Sequence, residues 1–252
     1  MLSDQEFMRY SRQLLLEDIS PEGQQKLKNS KVLIVGLGGL GSPASLYLAG
    51  AGVGELWLAD HDNLHVSNLQ RQVLYNTDDI EQSKAQLAAK RLHQLNPLVK
   101  TRAVVQKLEV ETLIPLVEQV DLVLDCCDNM ATRHAVNAAC VMTNMPLVSG
   151  SAVGFGGQLM VLEPPFSSGC YACLYPDQDE PERNCRTAGV LGPVVGVIGT
   201  LQALEALKLL VGLPSSLSGK LRLFDGKQQQ WNTLQLTPSL QCPVCREEAC
   251  IS

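Results

Sequence analysis

The sequence predicts an α/β fold: a doubly wound, mostly parallel sheet, extended by antiparallel strands and clamped by four cysteines. Three observations carry that expectation. Apolar β-type runs alternate with helical segments through the first 150 residues, the pattern of a parallel sheet covered on both faces. After residue 150, strand-like segments follow one another without a helix between each pair. Two Cys-x-x-Cys pairs, Cys170/Cys173 and Cys242/Cys245, bracket that second region.

In chain order, residues 5–16 and 22–28 are expected to be helical. KVLIVG (31–36) is a continuous apolar run, as a strand buried on both faces requires. A helix over 41–50 and the strand ELWLAD (55–60) follow. SKAQLAAKRLHQL (83–95) is amphipathic and stops at the Asn96-Pro97 pair. A strand near 100–106, a helix near 110–118, the strand VDLVLDC (120–126), a helix near 129–143 and the strand PLVSG (146–150) complete the alternation. Beyond it, 156–164, 220–226 and 229–236 read as the antiparallel extension, with a buried helix beginning near Pro193. Residues 163–188, rich in Pro, Asp, Cys and Gly, read as a long functional or mobile loop. No repeat or linker interrupts the chain, so residues 1–252 are expected to form one domain.

The 252 residues are 45% hydrophobic and 18% charged, ordinary globular values. A chain of this length builds a core without staples, so its nine cysteines need another explanation. The net charge of −6 and pI near 5.2 exclude a protein that holds nucleic acid mainly by a basic field. The N-terminus lacks the apolar core of a secretory signal. Two uncharged stretches, 32–54 and 187–204, are broken by glycines and suit a strand–turn–helix and a buried helix better than membrane spans. The cytoplasm is then the default compartment, where cysteines more often bind metals or react than form disulfides.

Gly36-Leu37-Gly38-Gly39-Leu40-Gly41 satisfies G-x-G-x-x-G after a strand and opening a helix. Such glycines let backbone approach phosphates, whose charge a helix N-terminus favours. Asp60 ends the next strand, where its carboxylate can hold ribose hydroxyls. This is a Rossmann-like nucleotide site rather than a packing turn with an unrelated acid, but it does not choose the nucleotide. The motif alone favours NAD, and no Walker A sequence speaks for ATP. Asn68, Arg71 and Gln72 in SNLQRQ, Lys84, Arg12 in RYSRQ, and Asp128-Asn129 after the strand 120–126 add charge around it. Hydride transfer has little use for several fixed cations, whereas attack on phosphorus needs them to neutralise a polyphosphate leaving group. Each, taken singly, is an ordinary solvated charge.

The cysteines divide by context. The two CxxC pairs, 68 residues apart, suit a closed tetrahedral Zn²⁺ site of Cys170, Cys173, Cys242 and Cys245. The competing readings are redox CxxC pairs or unligated thiols. Cys185 lies between Arg183 and Arg186, where positive charge raises thiolate fraction and favours a nucleophile over an inert exposed thiol. Cys126, Cys127 and Cys140 read as small core residues, Cys250 as tail, and His61 and His65 as surface.

The motifs RYSRQ, GLGGLG, SNLQRQ, DCCDN, CYAC, NCRTAGV and CPVC resemble the ubiquitin-activating-type (E1-like) HesA/MoeB/ThiF family of adenylyltransferases, along essentially the whole chain. SAVGFGGQLMVL and the segment from Pro181 to Leu210 are similar to its thiamine-pathway branch more than to its molybdopterin branch. DCCDN departs from the expected DCTDN while keeping the acid. The resemblance implies ATP- and Mg²⁺-dependent adenylation of the C-terminal glycine of a ubiquitin-like sulfur carrier ending in Gly-Gly. Residues 1–150 would be the nucleotide half and 151–252 the carrier-binding half, with a mobile loop near 176–188. Gly36, Gly38, Gly39 and Gly41 would form the phosphate turn, and Asp60 would hold the ribose. Asn68, Arg71 and Lys84 would contact the triphosphate, Asp128 would place Mg²⁺ and the α-phosphate, and Gln72 and Asn129 would complete the nucleotide site. A homodimer would supply Arg12 from the partner subunit, and Cys185 would join the carrier covalently while a separate protein donates sulfur. Alternatives are the molybdopterin carrier, a tRNA-nucleoside branch disfavoured by the acidic charge, an NAD-dependent dehydrogenase, or a non-catalytic scaffold.

Overall fold

A computed structural model describes residues 1–176 and 187–246. Its elements are α1 (Asp4–Arg9), α2 (Ser11–Leu14), α3 (Ser20–Asn29), β1 (Lys31–Val35), α4 (Gly41–Ala51), β2 (Glu55–Ala59), α5 (Lys84–Leu95) and β3 (Lys100–Val104). There follow α6 (Val110–Val117), β4 (Leu122–Asp125), α7 (Met130–Met142), β5 (Leu147–Val153), β6 (Gly156–Leu162), α8 (Tyr171–Leu174), α9 (Gly192–Val211), β7 (Lys220–Asp225) and β8 (Gln230–Gln235). The eight strands form one sheet in the order β3-β2-β1-β4-β5-β6-β7-β8. The first five run parallel, and β6, β7 and β8 run antiparallel to their neighbours.

Alternation along β1 feeds both sides of the sheet. Val32 and Ile34 join a core under α3, α4, α5 and α9, while Leu33 and Val35 join one under α6, α7 and α8. Two-sided burial explains why β1, β2 and β4 are continuous apolar runs rather than alternating ones. The helix expected over 5–16 is two short helices. Tyr10 breaks it, because its ring is buried and its hydroxyl accepts from Asn96 Nδ2 at 2.9 Å. The CxxC at 170–173, expected within a loop, is wound into the single turn of α8.

Helix α9 is, among the described residues, the one long and apolar enough to cross a membrane, yet half of it is buried in this fold. It lies over α4 and the β5–β6 hairpin. Strand β1 has β2 on one side and β4 on the other, so the chain leaves it in opposite directions and opens a crevice at the carboxyl ends.

Candidate active site

The crevice holds a cavity of about 410 Å³ lined by Gly36, Gly38 and Gly39 of the turn after β1. Gly36 has φ +90°, and a Cβ there would stand 2.6 Å from the Cys126 carbonyl, so only glycine fits. Gly41 lies off the lining and packs against the Gly36 carbonyl, bringing the start of α4 close to the strand.

Asp60, one residue beyond β2, lies beneath this turn. Its carboxylate accepts the backbone N–H groups of Leu37 at 2.8 Å and Asp62 at 2.9 Å. Burial pushes this carboxyl above the usual range, opposed by the charge of Lys84. Each oxygen keeps a lone pair for a hydroxyl of a bound sugar. Lys84 opens α5 and is 5% exposed, with Nζ held 3.1 Å from Asp62 Oδ2 at the rim.

Arg71, Gln72, Asp128 and Asn129 line the same cavity. Arg71 donates to the Ser67 carbonyl at 2.9 Å, turning its guanidinium along the wall. Gln72 is 3% exposed, lies against Gly38, and leaves its Oε1 without a hydrogen-bond partner. An orphaned buried amide costs stability unless a ligand completes it, which fits a polar guest at this turn. Asn129 Oδ1 accepts from Thr132 N–H at 2.9 Å and caps α7, whose N-terminus therefore opens on the crevice.

Arg12 and Asn68 lie outside the lining. Asn68 accepts the His65 N–H at 3.0 Å and shapes the segment that carries Arg71. Arg12 is exposed on α2, beside Gln13, whose Nε2 donates to the Ala51 carbonyl at the far end of α4. Cys185 lies outside the described residues.

Sequence reasoning missed the buried network under the site. Asp125, at the end of β4, pairs with Arg133 at 2.8 Å and accepts from Ser149 Oγ at 2.7 Å. Asp125 keeps Arg133 protonated against the burial that would lower it. Arg133 also donates to the Cys127 carbonyl, and Gln202 Nε2 donates to the Asp125 and Val148 carbonyls at 2.8 and 3.1 Å. Together these bonds hold the backbone that presents Asp128. Ser151, Gln158, Tyr171 and Tyr175 continue the wall, with the Tyr175 hydroxyl donating to Gln158 Oε1 at 2.8 Å. Burial pushes the thiols of Cys126, Cys127 and Cys140 up, as expected of core residues.

The four sulfurs of Cys170, Cys173, Cys242 and Cys245 lie within 4.8 Å of one another. Cys170 to Cys242 is 3.7 Å and Cys173 to Cys245 is 3.4 Å. Tetrahedral bonds of ~2.3 Å to zinc put sulfurs roughly 3.8 Å apart, so the cluster fits that ion. Burial raises Cys170 to about 11. At Cys242 burial also acts upward, but hydrogen bonds from the backbone N–H groups of Cys245 and Val244 and from the Cys173 and Cys245 thiols together hold the thiol below its ordinary value.

A profile of the ThiF family matches residues 10–244. The chain is 63% identical over 244 residues to the sulfur carrier protein ThiS adenylyltransferase of Escherichia coli (strain K12), covering 97% of each chain. It is 44% identical over 247 residues to the adenylyltransferase and sulfurtransferase MOCS3 of Caenorhabditis briggsae, covering 97% of this chain and 61% of that one. The present chain thus spans about three-fifths of the length of that relative. Among solved structures, E. coli MccB with ATP superposes with a TM-score of 0.81 at 27% identity, covering 94% of this chain and 73% of the other.

Proposed function

The chain belongs to the ThiF family, and from that premise we propose that it adenylates the C-terminal glycine of a ubiquitin-like sulfur carrier of the ThiS type, using ATP. One observation carries the reading. The glycine turn, Asp60, Arg71, Gln72, Lys84 and Asp128 line a single cavity at the switch point, in a chain 63% identical to an enzyme named for this reaction.

The chemistry needs no general base. A C-terminal carboxylate, with a pKa of ~3.3–3.7, is already ionised at neutral pH. Its oxygen attacks the α-phosphorus of ATP, the bond to the β-phosphate breaks, and pyrophosphate leaves. The enzyme must therefore bring two anions together and neutralise charge on the leaving group. Gly38 and Gly39 admit the phosphates, Asp60 accepts from the ribose, and Arg71 and Lys84 supply fixed positive charge. Asp128, at the positive end of α7, offers oxygen donors of the kind Mg²⁺ prefers. Such an ion, when bound, neutralises phosphate charge. Zinc in the Cys₄ cluster would leave no open coordination position, so its contribution is structural.

Arg12 supports a homodimer. Its helix is anchored at the C-terminal end of α4, roughly 16 Å of helix away from the glycine turn. An arginine so placed serves a partner's site more readily than its own. The MOCS3 relatives are named as combined adenylyl- and sulfurtransferases. Sulfur delivery by a separate donor protein, with Cys185 joined covalently to the carrier, belongs to the same proposal.

The test is ATP–pyrophosphate exchange driven by a carrier ending in Gly-Gly. Exchange with a ThiS-type carrier, weaker with the molybdopterin-type carrier, is the expected result. No exchange with any carrier of this kind would remove the proposal. Cys185→Ser should exchange normally but fail to yield the carrier thiocarboxylate, read by mass spectrometry.

A further inference from the structure

One buried polar side chain serves the cysteine cluster without being one of its ligands. Asn137, on α7, is 0% exposed. Its Nδ2 donates to Cys170 Sγ at 3.5 Å, and its Oδ1 accepts the Tyr171 backbone N–H at 2.9 Å. Only this orientation of the amide satisfies both neighbours, since the backbone N–H needs an oxygen and a ligating sulfur is an acceptor. The same face of α7 meets the knuckle twice more. Met130 Sδ accepts from the Tyr171 hydroxyl at 3.5 Å, and the His134 ring meets Tyr171 edge-on with centroids 5.4 Å apart. Positions 130, 134 and 137 follow the i, i+4, i+7 spacing of one helical stripe.

We propose that Asn137 is the outer-sphere positioning residue of the metal centre, orienting the Cys170 thiolate while pinning the turn that carries Tyr171. The inference rests on the reading of the Cys₄ cluster as a zinc site. An N–H donated to a ligating sulfur fixes its direction and spreads its charge. Outer partners of this kind change metal affinity by ~10–100-fold when removed. The second contact of the amide has a consequence for the crevice. Tyr171 lines the nucleotide cavity, and α7 begins at the Asn129 cap, so one helix touches both the metal knuckle and the nucleotide site.

Zinc release from the purified protein to a chromogenic chelator measures the effect. Asn137→Asp keeps an oxygen for the Tyr171 N–H, loses the donor to sulfur and sets negative charge against the thiolates. Its zinc should leave ~10–100-fold faster than from the wild type, and Asn137→Leu should behave alike. Release within about twofold of wild type from either variant, with circular dichroism unchanged, overturns the assignment. Cadmium-113 substitution of the wild type gives a readout free of any folding defect. A through-bond coupling between the metal and the Asn137 side-chain amide proton supports the bond, and its absence refutes it. Wild-type protein that carries no metal by elemental analysis would instead sink the Cys₄ reading itself.

Discussion

At the scale of single residues, Asp128 and Asp60 separate two kinds of carboxylate. Asp128 faces the cavity at the N-terminus of α7 and is presented by the Asp125–Arg133–Cys127 network beneath it. Asp128→Ala is expected to reduce pyrophosphate exchange by ~100-fold or more while leaving thermal unfolding close to wild type. A retained rate would remove the residue from its assigned place. Asp60 has a pH signature. Its folded pKa is raised above the 3.8 of an unburied aspartate, so folding favours its protonated form. The stability it contributes is fully present below that value and is lost as pH rises through the folded one. The unfolding free energy of the wild type minus that of Asp60→Asn should therefore shrink in urea titrations as pH rises above the unburied value of 3.8. A difference independent of pH would show that Asp60 titrates as it does in the unfolded chain. Gly36, Asp60 and Asp128 were legible in the sequence because strand, turn and helix place them locally. Arg133, Ser149 and Gln202 were not. Their bonds to Asp125 arise when α7, β5 and α9 converge, and Gln202 is 77 positions away along the chain.

Among the elements, α9 decides how the crevice is walled. The sequence predicts a buried helix beginning near Pro193 rather than a membrane span, and in the structure it runs over the 20 residues Gly192–Val211. Gly199 explains the distinction. A Cβ there would meet the Leu40 carbonyl and stand 2.8 Å from Pro43 Cγ, so α9 and the first turn of α4 touch backbone to backbone. Gly199→Val should push α9 off α4 and cost about 1–3 kcal/mol in chemical denaturation. The shift should also raise the KM for ATP, because Leu40 and the glycine turn lead directly into α4. An unchanged denaturation midpoint would mean that the two helices part without loss. Helix type and order were readable from periodicity, but the α1–α2 break was not. It depends on Tyr10 meeting Asn96, a tertiary contact 86 residues away in sequence.

For the whole molecule, the parallel half and the antiparallel extension were both readable, since crossover helices separate strands in one and not in the other. A site shared between two subunits was implied only by a resemblance, and the fold supplies a physical argument for proposing it. Gln13 ties helix α2 to the end of α4 that points away from the glycine turn, and exposed Arg12 lies outside the lining of the cavity of its own chain. Helices α4 and α9 also leave Tyr47, Val197 and Leu204 exposed, apolar area that self-association would cover. Complementation between two inactive proteins tests this arrangement. Arg12→Ala keeps Asp128 but lacks the arginine it would lend, and Asp128→Ala lends its arginine but has a dead site. Each alone should be inactive in pyrophosphate exchange. When they are unfolded together and refolded as an equal mixture, half of the dimers should pair one of each. Each mixed dimer holds one complete site of two, so activity should recover to about one quarter of wild type. No recovery, with dimers confirmed by light scattering, would place Arg12 in its own subunit's chemistry or in none. Activity in Arg12→Ala alone would remove it from the reaction.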